Sequence, residues 1–140
     1  QLTPTAVMEA KAVAANILEG DHARPDYTLI PSCVFTHPSL AAVGLTEAEA
    51  RARGVAFEVK SALGLDWPEL TRLGIRRSGY KLLLEPGGGR LLGLSYLGED
   101  AAEVANQAML VMRLGLRTPD IMDLVWAYPS FGYALRYMLS

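Results

Sequence analysis

Residues 30–50 read IPSCVFTHPSLAAVGLTEAEA, and this stretch decides the fold. Residues 31–36 form a short apolar run, which predicts a strand. His37-Pro38-Ser39 interrupts it, because proline donates no backbone hydrogen bond and biases the residue before it toward extended backbone. Leu40–Leu45 resumes as a second strand. Thr46 and Glu49 then have the spacing of a capping box, in which the hydroxyl accepts from the third helical N–H and the carboxylate reaches back. The helix this starts runs to about Arg53 and stops at Gly54.

Working outward, the same local signals recur. Val55–Ser61 alternates, with Val55, Phe57 and Val59 on one side and Ala56, Glu58 and Lys60 on the other, which predicts a half-buried strand. Leu63–Leu73 is mixed, carries Trp67-Pro68, and reads as a loop or one helical turn. Residues 75–85 and 90–97 flank Pro86-Gly87-Gly88-Gly89 and read as an antiparallel hairpin. Tyr80, Leu82 and Leu84 share one face of its first arm, and Leu92, Leu94 and Tyr96 share one face of the second.

Asp100 is a candidate cap for a helix from Ala101 to Leu114. That helix is apolar on most sides, so burial on more than one face is expected. Thr118-Pro119 starts a further short helix, and Ser130 is placed to cap the last one, which reaches Met138. At the other end Thr3-Pro4 reads as an N-cap followed by a first-turn proline. Val7, Ala10, Ala14, Ile17 and Leu18 follow at helical spacing, Ala6 and Val13 widen the stripe, and Gly20 is the expected stop. Asp21–Thr28 is a connector. Antiparallel hairpins with helices between them, rather than repeated βαβ units, define an α+β fold: an antiparallel sheet of about four to five strands with helices packed on it.

Composition narrows the function classes. The chain has 140 residues, an apolar fraction of 51% and charged residues at 20%. That tilt suggests apolar surface covered by a partner. Net charge is −2, with no basic stripe interleaved with aromatics, so no nucleic-acid partner is expected. No apolar run approaches the roughly 18 residues needed to span a bilayer, so no membrane partner is expected either. Cys33 is the single cysteine, which rules out a disulfide within the chain and suits a reducing, cytoplasmic setting. Lying in an apolar run, it is expected to pack as a small hydrophobe. His22 and His37 have no metal-ligand spacing. Gly87–Gly93 joins two strands and lacks the G-x-G-x-x-G order of a dinucleotide loop. The chain starts at Gln1, and the expectation is a fragment of a longer protein.

Three blocks, IPSCVFT-HP-SLAAVGLTEAEA, then KLLLEP…RLLGLSYLGEDAAEVANQA, then AYPS at Ala127–Ser130, together resemble the C-terminal dimerisation domain of the FAD-dependent pyridine nucleotide–disulfide oxidoreductases. That family includes glutathione reductase, dihydrolipoamide dehydrogenase, mercuric reductase and soluble transhydrogenase. The opening QLTPTAVMEAKAVAANIL resembles the helix that closes the FAD domain of those enzymes. The resemblance implies residues 1–24 as the end of a FAD domain with its connector, and residues 25–140 as the dimerisation domain. It implies a homodimer, and upstream FAD and NAD(P) domains in the same chain. FAD and NAD(P)H would be cofactors of the parent enzyme, and no cofactor is expected in this fragment alone.

The resemblance also carries site residues. Disulfide-reducing members have His-Pro-Thr-x-x-Glu near the C-terminus, the His exchanging protons in the partner's active site and the Glu orienting it. Here the matching residues are Tyr128-Pro129-Ser130-Phe131-Gly132-Tyr133: Tyr128 replaces the His and Tyr133 the Glu. An imidazole titrates near neutrality, whereas a tyrosine hydroxyl, titrating near 10, keeps its proton there. The resemblance therefore puts disulfide reduction in doubt and favours transhydrogenase-like or other hydride transfer. The alternatives are a disulfide reductase with another proton shuttle, and a free-standing α+β interaction module. Leu2, Thr3 and Pro4 match a Leu-Thr-Pro that touches flavin through backbone groups, and Tyr128 and Pro129 would face the flavin of the partner subunit. Gly98, Ala102 and Glu103 match the family's G-x-x-A-x-E, where Glu103 reads as a helix-start carboxylate.

Overall fold

The computed structural model describes residues 2–140, in two compact units divided between Ile30 and Pro31. The first unit is helix α1, Thr3–Glu19, followed by an extended connector. Its N-cap is Leu2, in extended backbone and without a side-chain cap, and Pro4 lies in the first turn. Thr3 already takes part in the helix, so the N-cap expected there is displaced by one residue. Gly20 ends the helix with φ of 97°. Beyond it Asn16 organises the connector: its Oδ1 accepts from the amides of His22 at 3.0 Å and Ala23 at 2.7 Å. Val7, Val13, Ile17 and Leu18 are all exposed along α1.

The second unit is built on a five-stranded antiparallel sheet in the order β1-β2-β5-β4-β3. The strands are β1 Ser32–Val34, β2 Ser39–Gly44, β3 Glu58–Leu63, β4 Gly79–Leu84 and β5 Leu91–Gly98. Helices α2 Glu47–Ala52, α3 Pro68–Arg72, α4 Ala101–Arg113, α5 Thr118–Met122 and α6 Ala134–Leu139 complete it, with a 3-10 turn at Phe131–Tyr133. The capping box forms as expected: Thr46 Oγ1 accepts from the Glu49 amide and Glu49 Oε2 accepts from the Thr46 amide. The β4–β5 hairpin turns at Gly87 and Gly88, both at positive φ, which glycine adopts without steric cost.

Register decides which side chains are covered. Ala41 faces Tyr96 and Val43 faces Leu94 across β2–β5. Tyr80 faces Tyr96 and Leu82 faces Leu94 across β4–β5. This face is buried against Val104, Ala105, Ala108 and Val111 of α4 and Leu135 and Met138 of α6. α4 buries one broad face and leaves Leu110 exposed, so the expected burial on several sides is not seen. Asp100 stands at its N-cap in left-handed backbone with no side-chain cap, where capping residues ordinarily take extended backbone.

Two expectations for β3 are corrected. The strand begins at Glu58, not at Val55, and Val59 is 44% exposed. β3 pairs with β4 so that Lys60 faces Leu82 and Ala62 faces Tyr80. Side chains alternate along a strand, so Lys60 and Ala62 fall on the covered face and Val59 on the other. That other face carries Val34, Leu40 and Leu63, all exposed, and Leu40 and Leu63 line an open hollow of about 510 Å3.

β5 approaches Leu45 so closely that a Cβ on Gly93 would lie 2.0 Å from the Leu45 carbonyl oxygen. Gly93→Ala is therefore expected to destabilise the chain by about 2 kcal/mol or more, as overpacking does, with an earlier urea midpoint. Thr46→Ala, which removes one side of the capping box, is expected to cost about 1 kcal/mol in the same titration.

Candidate functional site

The C-terminal segment from Trp126 to Ser140 is anchored from below. α6 buries Ala134, Leu135, Met138 and Leu139. Arg136 ties this helix to α5: its Nη1 donates to the Met122 carbonyl at 2.7 Å, and its Nε donates to the Tyr133 hydroxyl at 3.1 Å. Trp126 donates its indole N–H to the Ile121 carbonyl at 3.2 Å. Gln107 of α4 lies under the segment, and a Cβ on Gly132 would come within 2.6 Å of its Nε2.

On this support the aromatic side chains stack outward. Trp67, at the start of α3, lies parallel to Tyr137 with ring centroids 5.0 Å apart. Tyr137 meets Tyr133 edge-to-face at 4.7 Å, and Tyr133 meets Tyr128 in the same way at 5.0 Å. Such edge-to-face pairs place a positive ring edge on a negative ring face. The Tyr137 and Tyr128 hydroxyls are 3.5 Å apart, with Tyr137 donating. Burial first, then the Tyr128 hydroxyl and the charge of Glu69, push the Tyr137 hydroxyl well above the usual tyrosine value. Tyr137 thus keeps its proton at any physiological pH.

Tyr128 is 59% exposed at the outer end of this column. The aromatic residues of this segment are therefore covered largely by one another, with Tyr128 as the exposed member. Tyr128 and Tyr133 are in ring contact, and Pro129 follows Tyr128 directly. Ser130 departs from expectation. It occupies the N-cap position of the 3-10 turn, but its hydroxyl donates back to the Ala127 carbonyl at 2.8 Å instead of capping a helix. Leu2, Thr3 and Pro4 lie at the start of α1, where Leu2 and Thr3 line a hollow of about 470 Å3 with Thr5, Ala6 and Glu9. Glu103 is exposed in the first turn of α4.

Sequence reasoning missed the supporting residues. Trp67 and Gln107 come from α3 and α4, more than twenty residues from the motif, and only Trp67-Pro68 had been singled out, without a role. Among the described residues no three His, Cys, Asp or Glu side chains group at metal-binding distance. No helix among them is long and apolar enough to cross a membrane.

The pyridine nucleotide-disulphide oxidoreductase dimerisation-domain model matches residues 30–139. The chain belongs to that family, as its three sequence blocks implied. It is 31% identical over 138 residues to an uncharacterized 19.7 kDa protein in a mercuric resistance operon of Staphylococcus aureus, covering 99% of this chain and 77% of that one. It is 35% identical over 130 residues to the chloroplastic/mitochondrial glutathione reductase of Pisum sativum, covering 92% of this chain but 23% of that enzyme. The HOCl-induced flavoprotein disulfide reductase RclA from Escherichia coli superposes with a TM-score of 0.84 at 28% identity, over 99% of this chain and 32% of that one. The chain thus spans about a quarter to a third of these enzymes, and most of the small staphylococcal protein.

Arg136 is the hinge pin of the segment, so Arg136→Met should leave the Met122 carbonyl and the Tyr133 hydroxyl without their donor. The expected loss is about 1–3 kcal/mol, read by denaturant titration.

Proposed function

We propose that this chain completes the dimer and the active site of a FAD-dependent NAD(P)H oxidoreductase and is not catalytic by itself. In this reading residues 1–24 end a FAD domain, residues 25–140 are the dimerisation domain, and the protein works in the cytoplasm. The observation that carries it is Tyr128-Pro129: the segment at the family's His-Pro position is braced from the core outward, yet presents an exposed hydroxyl at its end. Bracing without enclosure suits a surface whose function is completed by another subunit.

The start of α1 fits one wall of a flavin site. Its first amide N–H groups have no intrahelical acceptor, and a helix N-terminus favours polar or anionic oxygens. The Gly87–Gly88 turn joins two strands and makes no dinucleotide cradle, so the remaining walls would come from outside this chain. FAD, when bound, would supply hydride transfer with NAD(P)H. The chain's own residues would bind, orient and shield: Leu2–Pro4 along one edge, and Tyr128 with Pro129 over the partner's site. Tyr128 would form a hydrogen bond there, with Tyr133 against its ring and walling the site where the family has a carboxylate. This favours hydride transfer without a thiol–imidazole relay, as in transhydrogenases.

Two other readings have their own support. The names of the relatives, glutathione reductase and flavoprotein disulfide reductase, favour disulfide reduction with a different proton shuttle. The small staphylococcal relative favours a free-standing interaction module. NAD(P)H-dependent turnover of a disulfide substrate by the full-length protein would select the first of these, and a gene product without upstream nucleotide domains the second.

Three outcomes are expected. In the full-length enzyme, Tyr128→Phe should change hydride-transfer rates little if the ring is a wall. A loss of roughly 10²–10⁴-fold would make it a proton donor. The 140-residue chain should lose any flavin spectrum on dialysis, and a retained yellow species would refute the one-wall reading. Sedimentation should give a dimer at micromolar concentration, with at least about 1,200 Å2 buried in total. A pure monomer would count against self-association through these residues.

A further inference from the structure

Glu69 has no part in the function proposed above, yet it is among the least ordinary side chains of the fold. It lies on α3, is only 6% exposed, and its Oε1 is enclosed without a hydrogen-bond partner. A carboxylate taken from water without a donor is costly, and buried carboxylates are ordinarily paired. The charge of Glu69 acts inward on the Tyr96 and Tyr137 hydroxyls. Both hydroxyls lack a hydrogen bond to it.

Glu69 also lines a cavity of about 310 Å3 with Pro68, Arg72, Pro129, Ser130 and Phe131. That volume exceeds what one water needs, at roughly 30 Å3 each. Its walls are largely apolar: two prolines and a phenylalanine ring. Arg72 is exposed and makes no ion pair with Glu69, so its charge is left to solvent screening. Apolar walls with one acceptor-only group of negative charge call for a ligand that brings both a donor and a positive charge on an apolar stem.

We propose that the cavity between α3 and Pro129–Phe131 is a binding site for an ammonium or guanidinium group on an apolar stem, with Glu69 as its counter-ion. The stem lies against Pro68, Pro129 and Phe131, and the cation donates to the Glu69 carboxylate. A free alkylamine and a basic side chain of a second copy share this chemistry. Because Pro129 follows Tyr128, occupancy would brace the segment that presents the Tyr128 hydroxyl.

The probe is n-butylguanidinium, titrated into the 140-residue chain by amide NMR, with n-butanol as the uncharged control. Saturable shifts at Ser130 and Phe131 are expected for the cation and not for the alcohol. Glu69→Gln should weaken binding roughly tenfold or more, as loss of a charge-assisted hydrogen bond does. Its thermal midpoint without ligand should be unchanged or higher, because an unpaired buried charge is gone. Should that variant fold poorly, Arg72→Ala keeps Glu69 in place and is expected to bind the cation as tightly or more tightly. No saturable binding to the parent chain, equal binding to Glu69→Gln, or weaker binding to Arg72→Ala would each overturn the proposal. Sedimentation identifies the source, and both of its outcomes uphold the site: a dimer dissociated by n-butylguanidinium means a basic side chain of a second copy, and an unaffected dimer means a free amine.

Discussion

The packing of α4 across β2 and β5 is the contact on which the rest depends. α4 turns small side chains, Ala101, Ala105 and Ala108, toward the sheet, and the sheet answers with Ala41 and Val43 beside Leu94 and Tyr96. Small residues on the helix let it lie close, and the large ones on β5 fill the space this leaves. Interiors pack to crystal-like density, so such a fit has few alternatives. α6 settles on the same layer, and α6 carries Tyr137. From Tyr137 the order passes through Tyr133 to Tyr128 by ring contacts, joined by one hydrogen bond between the Tyr137 and Tyr128 hydroxyls. An exposed side chain thus acquires a fixed place because each neighbour beneath it is held more firmly than the last.

Much of the architecture was legible because its signals are local. A threonine and a glutamate at capping-box spacing and a glycine-rich turn between two apolar runs each work within a few residues. Where the reading failed, the deciding partner was distant. Alternation in Val55–Ser61 shows that a strand has two faces but not which one is covered. Pairing with β4 made that choice, and it put Lys60 rather than Val59 over the core side. Ser130 has the composition of a helix cap, but its hydroxyl bonds back to the Ala127 carbonyl and caps no helix amide. The motif positions Tyr128 and Tyr133 were found by resemblance. Their support through Tyr137, Trp67, was not, since a loop-like sequence some sixty residues away gives no hint of where it will land.

The two faces of the sheet are unequal. One is sealed by helices, and the other leaves Val34, Leu40, Val59 and Leu63 open, with Leu63 88% exposed. α1 likewise buries none of its residues. Contiguous apolar surface of this kind marks contact with other protein more often than with water. It accords with a family whose larger members extend well beyond the span matched here.

Trp67 has a consequence for how the molecule can be watched. Its indole lies nearly parallel to the rings of Tyr137, Tyr80 and Tyr96, with centroids 5.0, 6.0 and 6.2 Å away. Tyrosines at such range pass their excitation to tryptophan, so light absorbed by the column emerges at one ring. Trp126, the other tryptophan, is held on the Ile121 carbonyl and sits apart from that stack. The chain therefore carries a built-in optical reporter beside its exposed tyrosine. Replacing Trp126 alone would isolate its emission, and any shift of the terminal segment would register as a change in colour or yield without a label.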